Sequence, residues 1–501
     1  MAHRNAGEAL WKLAGLPAGK LSRLNLSMNP DPAVDSSFRL GTAAQTSIGL
    51  SALSAAYFHE LRTGVQQDVQ VDARRAVLEF KSEAYYTMDD QRPAGDLFDP
   101  LAGTYKTKDD NWVRIHTNFP HHRDGILSVL QCPGTNDAVA SALLDWDSFK
   151  FEEEAARCGL VATAYRAFDQ WDSSPQGKAL EGASPVVIRK VAEAPKRDVP
   201  TIPPSMPLDG VRVLDLTRVL AGPICGRTLA GHGADVLLVT SPKLPDLPFL
   251  DADTSRGKRT TQLDLTSQDD RDKLTSLIKD TDVFLQAYRP GGLAEKGFDV
   301  DDIVRLKKGK GVVYASLRAY GWEGPWKDRR GFDSLVQTAM GFNHAEAEAY
   351  LSFRNGGKVD MKVAPRAFPM QALDHAAGYL LAFGINAALC KTVTEGGSWE
   401  VQVSLAAVGN WIRSLGRLDP QVAFGEGKPL PPRSVPQDQE IAAIAVELNQ
   451  SIADGIQKII PEGRKRMSAV RHSAKLSETP VRVGEASMRL NANTPRWLDR
   501  I

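Results

Sequence analysis

The hydrophobic and polar positions of residues 208–341 form short apolar runs separated by amphipathic segments. The apolar runs predict buried strands at 211–217, 234–240, 282–288 and 311–317. The amphipathic segments predict helices that end near Gly233 and that cover 267–279 and 300–308. Strands that alternate with helices are typical of a parallel, doubly wound sheet, so the sequence predicts the α/β class. Because ligands bind such sheets beyond the carboxyl ends of the strands, the residues after each strand are the first candidates for a site.

Two distant parts of the chain share a second pattern. Residues 48–77 and 383–408 each predict an apolar helix, a Gly-containing turn, a strand VQV and another helix. Matching Gly49 with Gly384 gives an offset of 335, since 384 − 49 = 335, whereas the two VQV strands are offset by 332. A three-residue indel in the turn accounts for the difference, because turns tolerate indels. Chance similarity is the alternative to an internal repeat.

The composition sets outer limits on the function. The chain has 501 residues, 42% hydrophobic and 24% charged, which is typical of a globular protein with two large domains or one large and one small. Its 61 Lys and Arg residues balance 61 Asp and Glu residues, which argues against a nucleic-acid binder, because such proteins need a basic excess. Gly and Asn interrupt the longest apolar run, 376–390, so a buried core helix is predicted there and no membrane span.

The cysteines and the N-terminus bear on the location of the protein. The four cysteines lack the spacing of a metal site or a disulfide framework, which favours a reducing, cytoplasmic compartment. The N-terminal segment is basic, with Arg4, Lys12, Lys20 and Arg23 against one acid, Glu8. A transit peptide, and with it a mitochondrial location, is therefore the alternative.

Three turns beside predicted strands carry cations or glycine. They are TRVLAGPICG with Arg218 and Gly222, SRGKRT with Arg256, Lys258 and Arg259, and AYRPGGL with Arg289. A glycine turn before a helix can hold a phosphate on free backbone N–H groups, although most such turns contain glycine for geometry alone. Arg and Lys side chains suit a phosphate, while a solvated basic turn is the alternative.

One acidic residue stands where an apolar helix begins. In ALDHAAGYLLAFGINAAL (372–389), Asp374 lies in the N-cap region, where an Asp commonly stabilises a helix without any catalytic role. The pattern alone leaves open whether Asp374 is a cap or a reactive group. We interpret His375 as a packed or hydrogen-bonded histidine and not as a base.

Several motifs occur together in one order. They are PLDGVRVLDLTRVLAGP, GADVLLV, RGKRTTQLDL, AYRPGGLAEKGFD, VVYASLRAYGWEGP, RGFDSL and DHAAGYLLAFGINAAL. With these motifs the chain resembles the class III CoA-transferase family, also called the CaiB/BaiF family, most strongly over residues 207–341. The resemblance implies a Rossmann-like large domain, a smaller α+β domain and interlocked dimers. It also implies an acyl-CoA donor and a carboxylic acid acceptor as partners, with the CoA thioester a substrate and no tightly bound cofactor.

The resemblance also assigns roles to individual residues. Asp374 matches the catalytic carboxylate, which attacks the thioester. We also expect Asp374 to cap its helix, and we expect the helix N-terminus to keep the carboxylate ionised. The implied CoA contacts are Arg218, Gly222, Arg256, Lys258, Arg259 and Arg289. No metal is expected.

Two other functions stay open. Related 2-methylacyl-CoA racemases carry a His in the motif that matches GFDSL, at the position of Phe332. Because Phe cannot exchange a proton, this position favours transfer. A CoA-binding protein without chemistry is the third possibility. The Gly-rich loop of many transferases is not visible, which argues for it, whereas the retained Asp374 argues against it. Thr240, after the second strand, also departs from the family, which commonly has an acid there.

The parts of the family occur here in an unusual order, so we interpret the chain as a rearranged fusion of two family units. The predicted segments are an N-terminal helical extension (1–37), a first unit (38–190) with a small-domain hairpin within about 85–145, a Pro-rich linker (191–207), the large domain (208–415), and a C-terminal helical segment and tail (416–501). The second unit lacks a hairpin in this interpretation. An offset of 335 puts Arg39 at the position of Asp374, since 374 − 335 = 39, so one complete active site is predicted. The fusion would supply within one chain part of what a homodimer supplies with two.

Overall fold

The computed structural model describes residues 2–93, 95–200, 202–356, 363–450 and 465–499. The helices up to residue 192 are α1 (Ala2–Leu13), α2 (Leu40–Thr63), α3 (Ala73–Glu79), α4 (Pro120–Leu130), α5 (Asn136–Leu143), α6 (Ser148–Arg157), α7 (Phe168–Ser173) and α8 (Pro175–Ala179). The strands of this part are β1 (Leu24–Leu26), β2 (Val69–Val71), β3 (Thr87–Met88), β4 (Gly103–Lys106), β5 (Trp112–Ile115), β6 (Ala162–Ala164) and β7 (Val187–Ala192).

The second part of the chain continues the numbering. Its helices are α9 (Ala221–Gly231), α10 (Pro248–Thr254), α11 (Gln268–Lys279), α12 (Val300–Leu306), α13 (Asp333–Met340), α14 (Phe342–Arg354), α15 (Ala372–Thr394), α16 (Leu405–Ser414), α17 (Pro420–Gly425) and α18 (Gln439–Ala442). Its strands are β8 (Arg212–Leu216), β9 (Asp235–Thr240), β10 (Arg259–Gln262), β11 (Val283–Gln286), β12 (Val313–Arg318), β13 (Ser398–Ser404), β14 (Ala445–Asn449), β15 (Arg466–Val470) and β16 (Lys475–Leu476).

One seven-stranded sheet forms the centre of the molecule. Its strand order is β10-β9-β8-β11-β12-β13-β7, and every neighbouring pair is parallel except β13 with β7. The apolar runs predicted β8, β9, β11 and β12 correctly, and α11 and α12 lie where the amphipathic segments predicted helices. The predicted α/β fold is therefore confirmed. Strand β7 adds the antiparallel edge and ends at Ala192, inside the segment predicted as a linker.

Helix α15 is the central helix of the core. It packs between α2 and α9 and against β13, so apolar residues on every side of it are buried. Among the described residues it is the one helix that is long and apolar enough to cross a membrane. However, 89% of its most apolar stretch of 18 residues is buried inside the protein. The prediction of a buried core helix is confirmed.

The internal repeat is visible in two sheets. Strand β2 lies between parallel β1 and antiparallel β16, just as β13 lies between parallel β12 and antiparallel β7. The helices before these strands, α2 and α15, begin at Leu40 and Ala372, an offset of 332 (372 − 40). Gly64 and Gly396 follow the helices with left-handed φ values of 76° and 72°, again an offset of 332 (396 − 64).

This uniform offset corrects the match to Asp374. It pairs Asp374 with Thr42 (374 − 332 = 42), whereas Arg39 is the N-cap residue of α2. The predicted three-residue indel and the match to Arg39 were wrong. A shift by three residues is close to one helical turn, so it leaves the apolar face of a helix in place and cannot be recognised from hydrophobicity alone.

Two small antiparallel sheets lie beside the core. Strands β4, β5 and β6 form one, which we call the cover sheet, and β14, β15 and β3 form the other. The β14-β15 pair occurs where the sequence predicted no second hairpin. Within the described part of 416–501, α17 and α18 have only six and four residues. The predicted helical segment is thus wrong there, because four prolines between 429 and 436 interrupt helix formation.

Candidate active site around Asp374

Asp374 is the third residue of α15, and another acid caps this helix. The backbone N–H groups of Leu373 and Asp374 donate to Oδ2 of Asp333 over 2.7 and 2.9 Å. Gln337 donates from its side chain to Oδ1 of Asp333. The carboxylate of Asp374 accepts no hydrogen bond from the described residues. The predicted capping role of Asp374 is therefore wrong, and its carboxyl group is left for another task.

The surroundings of Asp374 disfavour its charged form. The residue is only 9% exposed. Burial raises the pKa of Asp374 well above its usual range, and the carboxylates of Asp333 and Glu83 raise it further. Burial also raises the pKa of Asp333 to about 6, although the amide of Asp374 and the side chain of Gln337 oppose the rise. The expectation that the helix N-terminus keeps Asp374 ionised is wrong for the free protein, because Asp333 occupies the N–H groups.

The neighbours of Asp374 along α15 fix its direction. A Cβ on Gly378 would lie 2.6 Å from the carbonyl oxygen of Ala221, so α15 touches the beginning of α9 at this point. Asp374 lies one turn earlier on the same helical face. His375 points elsewhere: its Nε2 lies 2.9 Å from Oε2 of Glu83. The interpretation of His375 as a hydrogen-bonded histidine is confirmed.

The cover sheet and the loop after it close over this region. The ring of His116 stacks on Phe332 with 4.0 Å between ring centroids and 9° between planes. Phe119 and His122 lie 6.3 and 6.2 Å from the same ring. Phe332 directly precedes Asp333. Residues from the N-terminal part of the chain thus cover an acidic site carried by the C-terminal part.

Cations gather at the carboxyl ends of the central strands. The guanidinium of Arg218 donates to the carbonyl of Pro245 and lies 5.1 Å from the ring of Phe119. Arg330 approaches Nε2 of His122 to 2.9 Å through Nη1. Burial lowers the pKa of His121, and the charges of Arg330, Arg289 and Arg218 lower it further, so the three arginines lie around one imidazole. The structure therefore brings together two of the predicted CoA contacts, Arg218 and Arg289.

The cations of the turn SRGKRT are engaged inside the protein. Arg256 pairs with Asp253 at 3.2 Å, Lys258 with Asp215 at 2.8 Å, and Arg259 with Asp235 at 2.8 Å. The side chain of Lys258 has no exposed area. The turn is therefore not a solvated basic turn, and the predicted CoA contacts of these residues stay a prediction. A buried cation needs an acidic partner. Asp253 lies only three residues before Arg256, whereas Asp215 and Asp235 lie too far along the sequence for the pattern to reveal them.

Gly222 has a packing reason to be glycine. A Cβ at this position would lie 2.7 Å from Cβ of Thr217 and 3.1 Å from Cβ of Ala287. The absence of a side chain lets α9 begin close against the ends of β8 and β11. The preceding turn is strained as well, since Val219 has a φ of 74°, which a β-branched residue rarely adopts.

Sequence reasoning missed most of the residues that lie around Asp374 and Phe332. Asp333 was visible within the motif RGFDSL, directly after Phe332, and could have been recognised as an acid close to the site. Glu83, His116 and His122 come from the N-terminal part, more than 200 residues away, and no spacing rule connects them with Asp374.

A large cavity of the described residues lies elsewhere. It has a volume of about 1100 Å³ and is lined by residues at the amino ends of the central strands, such as Arg212 and Asp235, and by Thr392 near the end of α15. Thr392 is 18 residues beyond Asp374, or about 27 Å along the helix. This cavity is thus separate from the acidic site.

Comparisons with known proteins agree with one another, because the matching family model and the similar proteins are all described as CoA-transferases or CoA transferases. Residues 208–428 match the family described as CoA-transferase family III. Acetyl-coenzyme A transferase nodX of Hypoxylon pulicicidum is 35% identical over 342 residues, 64% of this chain and 55% of that protein. An acyl-CoA transferase of Gibberella moniliformis is 31% identical over 60% of this chain and 55% of its own length. The chain thus spans about half the length of the curated relatives it matches.

A solved structure gives a further match. The crystal structure of Rv3272 from M. tuberculosis is 33% identical, covers 42% of this chain and 57% of its own, and superposes with a TM-score of 0.36. The resemblance predicted from the motifs is confirmed by the family and by the similar sequences.

Proposed function

We propose, on the premise that residues 208–428 form a CoA-transferase family III region, that this protein moves CoA from an acyl-CoA thioester to a carboxylic acid. One observation carries the proposal. Asp374 stands in the first turn of α15 with a carboxyl group that no described residue bonds, while Asp333 does the capping. Such an acid is held in place by its helix and is free to react. Cations at the nearby strand ends suit the phosphates of CoA.

The reaction proceeds by four exchanges at Asp374. Its carboxylate attacks the carbonyl carbon of the acyl-CoA, and the C–S bond breaks to give a mixed anhydride and CoA thiolate. The thiolate attacks the aspartyl carbonyl and releases the donor acid, which leaves an aspartyl-CoA thioester. The acceptor carboxylate attacks this thioester and expels the thiolate. The thiolate then attacks the acceptor carbonyl and frees Asp374, so every bond broken is replaced.

The raised pKa of Asp374 becomes part of this mechanism. A carboxylate that is poorly solvated is more reactive once ionised, but the fraction ionised in the free protein is lowered. We infer that the rate of the first exchange increases with pH through the pKa of Asp374. The homodimer, the cytoplasmic location and the lack of a tightly bound cofactor stay predictions.

Trapping with hydroxylamine tests the proposal. Hydroxylamine attacks either the anhydride or the aspartyl thioester and leaves a hydroxamate on Asp374. Incubation with a panel of short acyl-CoAs and hydroxylamine, followed by peptide mass mapping, should show this hydroxamate with at least one donor. Asp374→Asn should show none, and Thr42→Ala, at the equivalent position of the first repeat, should show as much as the unsubstituted protein. A hydroxamate absent with every donor would contradict the proposal.

Proton exchange on an acyl-CoA is a second candidate, and His116 is the observation that favours it. This histidine stacks on Phe332, the position at which racemases carry their base. Burial lowers the pKa of His116 to about 3, so its ring is neutral but a weak base, and only its position favours this candidate. Deuterium from the solvent would then enter the acyl group of a 2-methylacyl-CoA, and His116→Gln would abolish the exchange. Transfer without any deuterium uptake would eliminate this candidate.

A further inference from the structure

Arg114 faces the acidic site from the cover sheet. It lies on the central strand β5, between Thr104 of β4 and Thr163 of β6. Side chains two residues apart on a strand share one face, so Arg114 points to the same side as His116, the ring that stacks on Phe332. Through this face the cover sheet contacts α13, which begins with Asp333.

No acid among the described residues forms an ion pair with the guanidinium of Arg114. Its Nε–H is buried and donates to no acceptor of the described residues, and none of their carboxylates lies within 4.0 Å of the group. The centroid of the Phe98 ring lies 5.7 Å from Cζ of Arg114. Arg114 as a whole is half-buried, and a charge that has lost part of its solvent in this way is stabilised when an anion joins it.

The buried arginines of the described chain, which are more buried than Arg114, all have partners. Arg166 pairs with Glu152, Arg227 and Arg256 pair with Asp253, and Arg62 donates to the carbonyl oxygens of Pro207 and Asp209. The fold therefore does supply acids or carbonyls to its buried guanidinium groups. Arg114 departs from this rule at the one place where the proposed reaction needs to bind an anion.

The charge that acts on Arg114 comes from the site itself. Burial lowers the pKa of Arg114, and Asp333 is the acid that opposes this shift. Asp333 cannot close the gap, because α15 and Gln337 already hold both of its oxygens. An anion that enters beside Asp374 would meet the negative charges of Asp333 and Glu83, and a cation must offset them.

We propose that Arg114 binds the carboxylate of the acid substrate, an inference that rests on the proposed function. The donor acyl group is uncharged while it is a thioester, and the cations at the strand ends suit the CoA phosphates. The acceptor is the anion that must reach the aspartyl carbonyl. Arg114 holds one carboxylate oxygen while the other attacks, and CoA leaves as thiolate. Because the donor acid leaves by the reverse path, Arg114 also holds that acid as it is released.

The test separates the two halves of the reaction. Arg114→Met should still form the hydroxamate on Asp374 from acyl-CoA and hydroxylamine, because that trap is uncharged. Its KM for the acceptor acid should rise, or its transfer rate fall, by about 10- to 100-fold, the effect of losing a charge-assisted hydrogen bond. The KM for the acyl-CoA should change little. Arg157→Met, which removes an exposed arginine from α6, is the matched control and should behave as the unsubstituted protein.

Two further measurements make the result decisive. Free guanidinium ion at millimolar concentration should restore transfer to Arg114→Ala but not to Asp374→Asn. If Arg114→Met and Arg114→Lys lose hydroxamate formation and transfer equally, with an unchanged acceptor KM, Arg114 does not bind the acid and the inference is overturned. If the unsubstituted protein forms no hydroxamate, the proposed function fails first, and the inference fails with it.

Discussion

Helices α2 and α15 occupy equivalent places in the two repeats, and their first turns differ in the side chain of the third residue. In α2, Oδ1 of Asp31 accepts from the N–H groups of Gly41 and Thr42 at 2.8 and 3.2 Å. In α15, Asp333 does the same for the second and third residues of the helix. Both helices are thus capped by an acid that comes from outside the helix.

The third residue of each helix shows what the duplication separates. The hydroxyl of Thr42 donates to Oδ2 of Asp31 over 2.5 Å, so it is consumed by the cap. Asp374 makes no such bond among the described residues, and its pKa is raised. In α2 the third side chain stabilises the helix end through its hydrogen bond to the capping acid. In α15 the third side chain has no such bond and can react. The same type of cap can therefore accompany a structural or a reactive residue.

The largest effect expected from this comparison concerns activity. Asp374→Asn should lower transfer by about 10⁴-fold or more, because the nucleophile is lost. Thr42→Ala should leave transfer within about twofold and lower the stability by about 1 kcal/mol, the usual value of a hydrogen bond. Initial rates with one acyl-CoA and one acid, together with chemical denaturation, measure both. Equal losses of activity in the two variants would end the distinction between the repeats.

A second effect concerns the packing that holds each helix. Gly378→Ala would push a Cβ to 2.6 Å from the carbonyl of Ala221 and 2.9 Å from Ile224, so it should destabilise the protein by about 1–3 kcal/mol. The equivalent residue in α2 is Thr46 (378 − 332 = 46), whose buried hydroxyl has no partner among the described residues. Thr46→Ala should change the stability by less than about 1 kcal/mol. Urea denaturation of both variants would reveal whether α15 is the more tightly held helix.

The pH profile should distinguish the two capping acids. Asp333 raises the pKa of Asp374, so Asp333→Asn should move the acid limb of hydroxamate formation to lower pH, since Asn keeps an oxygen for the two N–H groups. Asp31→Asn should leave the limb in place. The rate of trapping between pH 5 and 9 is the measurement. An unmoved limb in Asp333→Asn would mean that a group other than Asp374 titrates there.

The smallest effect concerns stability. In the unfolded chain Asp374 has an ordinary pKa, and in the folded protein its pKa is raised. Its contribution to stability is therefore fully present at acid pH and is lost as pH rises towards the raised value. Asp374→Asn should accordingly raise Tm at neutral and alkaline pH, and this gain should vanish in acid. Thermal scans at several pH values test it, and Thr42→Val should show no pH-dependent gain.

The sequence was informative where residues act through local pattern. Buried parallel strands are continuous apolar runs, so β8, β9, β11 and β12 could be predicted from them. Asp374 could be recognised because one motif carries it. The offset of the repeat was misjudged because a helix looks alike after a shift of three residues.

Contacts between distant segments could not be predicted. Lys258 stays a predicted CoA contact, but no pattern predicted its ion pair with Asp215, which lies 43 residues earlier. Arg114 and His116 reach the site only because the chain folds the cover sheet over α13. Contacts between such distant segments cannot be predicted from composition or residue spacing, since they depend on how whole helices and strands pack.

The cover sheet and the acidic site are joined by covalent bonds. Strand β7, on the edge of the central sheet, follows the cover sheet and leads into the chain of the large domain. The two halves of the proposed site therefore meet by an intramolecular encounter, governed by an effective concentration that dilution does not alter. A site divided between separate chains would be lost when the chains dissociate. In this protein the chain connects the cover sheet to the large domain, so the two halves of the proposed site come together as the chain folds.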